Sequence, residues 1–140
     1  MMASSGRPIV LVWLDPGQTG DDTRALLADV PTDLLVAHWD PNVDDAGRTD
    51  LLASVRDARD RITAQGGNPD ELTVVGFGLG AVAAAGLARY ARRLGIGLGR
   101  VIAVAGTWDE PDPFSGTPIE DIPDRVELVD RADQVAAILN

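Results

Sequence analysis

Leu-Thr-Val-Val-Gly-Phe-Gly-Leu-Gly-Ala-Val-Ala-Ala-Ala, residues 72–85, passes from a buried-strand pattern straight into a helical one. Leu72–Val75 is a short apolar run, and Gly76-Phe77-Gly78-Leu79-Gly80 supplies a tight turn. An alanine-rich helix then runs to about Leu94, with Gly95–Gly99 as the following loop. Upstream, Asp44-Asp45 opens a helix in which Leu51, Leu52, Val55, Ala58 and Ile62 recur at helical spacing. Gly66-Gly67-Asn68-Pro69 ends it.

The same alternation continues outward. Ile9–Leu14 reads as a strand bounded by Pro8 and Asp15-Pro16-Gly17, and Asp21-Asp22-Thr23 caps a short helix to about Ala28. Leu34–Trp39 is the second strand, closed by Asp40-Pro41-Asn42. Downstream come a strand at Val101–Ala105, a loop from Gly106 to Pro123, a strand at Val126–Val129 and a closing helix at Ala132–Leu139. The pattern predicts an α/β three-layer sandwich with a roughly five-stranded parallel sheet. One domain is expected over residues 1–140, with 1–7 as a flexible N-terminal tail.

Composition narrows the chemistry. The 140 residues suffice for a real core, and 45% apolar with 24% charged content is ordinary for a soluble globular chain. A net charge of −10 disfavours nucleic acid and anionic membranes as partners. Arg89, Arg92 and Arg93 form the best local basic patch, read first as the solvated face of a helix. The sequence has no Cys and no Lys, and all 12 basic residues are Arg. Thiolate nucleophiles, disulfides, Schiff bases and the P-loop lysine are thereby excluded. One histidine, His38, cannot make a multi-histidine metal site. No apolar run approaches the roughly 18 residues of a membrane span, and the start is too short for a signal peptide. A cytoplasmic protein is expected.

The glycine turn has three readings. In a nucleophile elbow, Gly-x-Ser-x-Gly, the middle residue occupies a strained turn and the flanking glycines relieve strand–helix crowding. Here Gly76 and Gly80 are present, and Gly78 stands at the centre. In a dinucleotide fingerprint, Ala81 takes the third small position, but the acidic residue expected about 20 positions on is absent. The third reading is a plain strand-to-helix turn.

Three segments favour the elbow. Leu72–Ala85 resembles the elbow strand and helix of the small carboxylesterase and thioesterase branch of the α/β-hydrolase superfamily. Leu14–Asp22, Leu-Asp-Pro-Gly-Gln-Thr-Gly-Asp-Asp, is similar to that branch's Leu-His-Gly-x-Gly-x-x-Gly-Asp-Asp oxyanion loop, one residue shorter and without its His-Gly. Val126–Val135 resembles the strand and loop that carry the triad acid, with Asp133 in the acid's place. The resemblance implies a minimal α/β-hydrolase core in which Gly78 replaces the nucleophile. It also implies that the sequence ends, at Asn140, before the final strand and the loop that would deliver the histidine. A hydroxyl nucleophile needs a base within hydrogen-bond reach. The resemblance therefore implies an inactive, degenerate hydrolase-like domain, serving as a protein-interaction or structural subunit of an assembly. A protein partner or a homo-oligomer is expected, with no cofactor.

Other readings are kept beside it. Asp15-Pro16-Gly17-Gln18-Thr19-Gly20 also resembles the first-strand motif of RuvC-type Mg²⁺-dependent resolvases, with Asp130 to Asp133 near their last acid. That fold needs a strand directly after the motif and a middle acid, and Val74-Val75-Gly76 supplies none. An esterase-type or metal-assisted hydrolase with non-standard residues would use His38 as base with Asp15 or Asp40. A hard cation would draw on Asp15, Asp21, Asp22, Asp40, Asp44, Asp45, Asp109, Glu110, Asp112, Asp130 and Asp133. Helix caps and solvated loops explain these acids more simply, and no metal site is assigned. Parallel α/β folds bind ligands at the carboxyl edge of the sheet. Asp15, Gly17, Gly78, Leu79 and Trp108 are the candidate ligand-binding residues there. The Gly76–Gly80 turn offers an anion site. Trp13, Trp39 and Trp108 are expected to line one apolar surface at that edge, and Ser115 is a hydroxyl without an evident activator.

Overall fold

Each strand is a short run of Val, Ile and Leu, and such runs can be buried on both faces. In the computed structural model, which describes residues 9–15, 33–37, 44–112, 114, 116–131 and 134–135, they pair as one parallel sheet. The strands are β1 (Ile9–Trp13), β2 (Asp33–Ala37), β3 (Thr73–Phe77), β4 (Val101–Val104) and β5 (Val126–Val129). Their order is β2-β1-β3-β4-β5. The register places Val12 beside Val75 and Trp13 beside Gly76 across β1 and β3. The tail at 1–7, the helix expected from Asp21 to Ala28 and most of the closing helix lie outside the described residues. Of the closing helix, Gln134 and Val135 are described, and both are helical.

Two helices cover one face, α1 (Asp44–Ala64) and α2 (Leu79–Leu94). Alternation sends Ile9, Leu11, Trp13, Val74, Val101 and Ala103 to that face, where they meet Leu51, Val55 and Ala58 of α1 and Ala84 and Leu87 of α2. Val10, Val12, Leu14, Val75, Phe77, Ile102 and Val104 form a second cluster on the other face, with Val135. Both helices end in the same device. Gly66 and Gly95 have positive φ (82° and 71°), and the amides of residues 66–67 and 95–96 close back onto carbonyls 63, 62, 92 and 91. That is a Schellman cap with glycine where other residues are strained.

Details depart from the expected bounds. β3 continues two residues into the glycine turn, because Gly76 and Phe77 still pair with Ala103 and Val104 of β4. β4 stops at Val104, since Ala105 turns to φ 49°. Trp13 does not line a surface: it is fully buried in the α1 face. Its Nε1–H donates to Ser54 Oγ at 2.8 Å, which ties β1 to α1. Trp39 lies outside the described residues. No helix among the described residues is long and apolar enough to cross a membrane.

Core truncation separates the two classes of leucine. Leu87 is fully buried, whereas Leu128 on β5 is 56% exposed. Leu87→Ala is expected to cost about 2–5 kcal/mol and Leu128→Ala about 0.5 kcal/mol or less. Urea unfolding checks this as a lowered midpoint with an unchanged slope for the first variant and little change for the second.

Candidate functional site

Between β1 and β3 the chain order reverses, and this switch point is where open parallel sheets form a crevice at their carboxyl edge. The glycine turn lies on one side of it and Leu14-Asp15 on the other. Chain sterics explain two of the glycines. A Cβ on Gly76 would lie 2.7 Å from Ala81 N, because the first turn of α2 folds back over β3. A Cβ on Gly80 would lie 2.8 Å from the carbonyl carbon of Trp13. Both obstacles are backbone, so neither can yield.

Gly78 is the residue before α2, with φ 59° and ψ −115°. This strained turn is the conformation that lifts a nucleophile above a sheet edge. Here the space beside it is taken. A Cβ on Gly78 would lie 2.6 Å from Asp15 Cγ and 2.9 Å from Asp15 Cβ, with Oδ1 closer still. Asp15 is half-buried, and its Oδ1 accepts a hydrogen bond from Leu79 N–H at 2.8 Å. The neighbouring Gly78 N–H donates to Val104 O at 3.0 Å. The amide after the nucleophile position is the one that would hold an oxyanion in an elbow. In this chain a carboxylate holds it, placed where the helix dipole favours negative charge.

The remaining candidates are scattered. Trp108 is half-buried, lies over Gly106 and packs on the core. Asp109, Glu110 and Asp130 are exposed. The amides of Asp130 and Arg131 both donate to Gln134 Oε1, at 2.9 and 3.0 Å. Asp112, expected in a solvated loop, is instead fully buried. Its Oδ1 accepts from Phe114 N–H at 3.0 Å, and its carboxylate sits against Gly86 in α2. A glycine inside the alanine-rich helix was the available signal for that close approach. Gly17, His38, Asp40, Ser115 and Asp133 lie outside the described residues. Among the described residues no group of three or more acids or histidines could hold a metal ion. Parallel strands β2 and β3 occupy both sides of β1. A hairpin partner following Asp15, as the resolvase resemblance requires, therefore has no position beside it.

The fold defines a class. No protein-family model matches the chain, and no curated protein matches it. Among solved structures, an α/β hydrolase enzyme from a Medee basin deep-sea metagenome library superposes with a TM-score of 0.65 at 16% identity, over 96% of this chain and 63% of that one. An arylesterase gives 0.59 at 17% identity, over 73% of this chain and 37% of that one. A cutinase-like protein from Cryptococcus sp. gives 0.53 at 11% identity, over 92% and 78%. The chain has an α/β-hydrolase-type fold. It spans less than two thirds of the length of the metagenome hydrolase and of the arylesterase.

Because only backbone opposes a Cβ at position 80, Gly80→Ala is expected to cost about 3 kcal/mol or more. Thermal or urea unfolding of that variant checks the close approach of β1 to α2.

Proposed function

We propose that this chain is a catalytically inactive hydrolase-like domain that acts by binding a protein partner or as a structural part of an assembly. The observation that carries the reading is the Asp15 carboxylate on Leu79 N–H, in the space a nucleophile side chain at position 78 would need. Acyl transfer needs a nucleophile, a base to take its proton and donors for the developing oxyanion. Gly78 offers no hydroxyl. The oxyanion donor is engaged by an anion that would also repel a tetrahedral intermediate. Pro16, next in the loop that would give the second donor, has no backbone N–H. The scaffold around these positions is nonetheless kept, which supports a role in binding.

The test is turnover of short- and medium-chain p-nitrophenyl esters by the full chain. The expected rate equals that of heat-denatured protein; a rate above it that survives repurification and is lost in Asp15→Ala contradicts the reading. Gly78→Ser is expected to remain inactive. It should also lose about 1–3 kcal/mol of stability, from side-chain strain at positive φ and collision with Asp15. Active, fully stable Gly78→Ser protein would show that Asp15 does not occupy this space.

A further inference from the structure

We infer that this chain pairs with a second copy of itself, around a two-fold axis, through the outer face of α2 and the acidic loop beside it. This inference rests on the reading of the chain as a binding domain or part of an assembly. Arg89, Arg92 and Arg93 are exposed on α2. Arg92 and Arg93 follow Arg89 by three and four positions, so both are its neighbours on the helix surface. The guanidinium groups of Arg89 and Arg93 each stand 5.7 Å from the ring centre of Tyr90. Contact with the ring limits their freedom and leaves their N–H groups open to carboxylates. Among the described residues none of the three has an ion-pair partner. Other arginines are engaged: Arg59 with Asp70, Arg61 with Asp57 and Arg100 with Glu127. Arg56 shares the lining of the cleft between α1 and α2 with Asp60. The helix dipole accounts for Arg92 and Arg93 in the last turn of α2. It does not account for Arg89, a turn earlier.

The occupant follows from the segment next to these arginines. The loop from 106 to 124 contains no Arg. Its carboxylates Asp109, Glu110, Glu120, Asp121 and Asp124 are exposed, and among the described residues none is in an ion pair. The loop is held against α2 where the buried Asp112 carboxylate meets Gly86, one helical turn before Arg89 and Tyr90. Cations and anions therefore adjoin on this side of the molecule without neutralising one another. A surface that carries both signs side by side is self-complementary. A two-fold axis sets the arginines of each copy against the loop of the other, and every contact is made twice. An unrelated partner would need an acidic segment for the arginines and a basic one for the loop. The net charge of −10 on each copy is screened beyond roughly 8 Å at physiological salt, so the contact responds to the local charges. Half-buried Tyr90 supplies an aromatic group among them.

The test is sedimentation equilibrium of the full chain at concentrations up to about 1 mM. A monomer–dimer equilibrium is expected, with a dissociation constant that rises about tenfold on going from low to high salt. Arg89→Glu/Arg93→Glu and Glu120→Arg/Asp121→Arg should each be monomeric, while circular dichroism confirms that both are folded. Mixed one to one, these two variants should dimerise again, because both contacts of the mixed pair then join opposite charges. A monomer at every concentration overturns the inference. So does a dimer indifferent to salt and to the charge reversals, a mass that grows beyond two chains, or a mixture that stays monomeric. Polyglutamate is the control for a different occupant: a monomeric chain that binds it through the same arginines overturns self-pairing and assigns them to another acidic protein. A monomer together with absent ester turnover removes this dimer alone. Ester turnover would remove the inactive reading and leave the measured association standing.

Discussion

One hydrogen bond organises the carboxyl edge of the sheet: Leu79 N–H to Asp15 Oδ1, linking residues 64 apart in sequence. It exists because three local conditions coincide. β1 and β3 are neighbours, so their ends share the switch point. Gly80 lets the backbone of β1 come against the first turn of α2. Gly78 leaves the space a side chain would need, and Asp15 takes it. The glycine at the elbow and the aspartate in the facing loop are therefore one physical feature. Placing a serine at position 78 without changing position 15 would put two groups in one place.

This arrangement turns an elbow into a joint. In an enzyme the strain of the turn presents a side chain, and the free amide beyond it receives charge. Here both amides of the turn are satisfied within the chain. The first turn of α2 is fixed to β1 as well as to β3.

Much of the fold was legible because the strands are uniformly apolar and glycine punctuates the helices. Ile9–Trp13, Thr73–Phe77 and Val101–Val104 are buried throughout or nearly so, the pattern typical of parallel strands covered on both faces. The elbow was legible from Gly76 and Gly80, whose spacing reflects a steric demand of the turn itself. Other features depend on long-range contacts with no local signature. Asp15 read as a ligand, a partner for His38 or a metal ligand; nothing in Asp15-Pro16-Gly17 says that its carboxylate turns onto an amide of α2. Trp13 shares a face with Ile9 and Leu11, so strand alternation could have placed it inward. Asp112 looked solvated among prolines, and its burial follows from packing against Gly86. The cleft between α1 and α2 joins residues from two separate segments, 52–60 and 94–96, and has no motif.

The most direct measurement is amide hydrogen exchange at Leu79, compared between the unaltered chain and Asp15→Ala. First-turn helix amides lack an intrahelical acceptor and exchange readily unless something else binds them. The account predicts that Leu79 is protected in the unaltered chain and exchanges about tenfold faster or more in Asp15→Ala, while amides in β4 are unchanged. Equal exchange at Leu79 in the two proteins would mean that Asp15 does not hold this donor, and would contradict the account of a closed turn at the sheet edge.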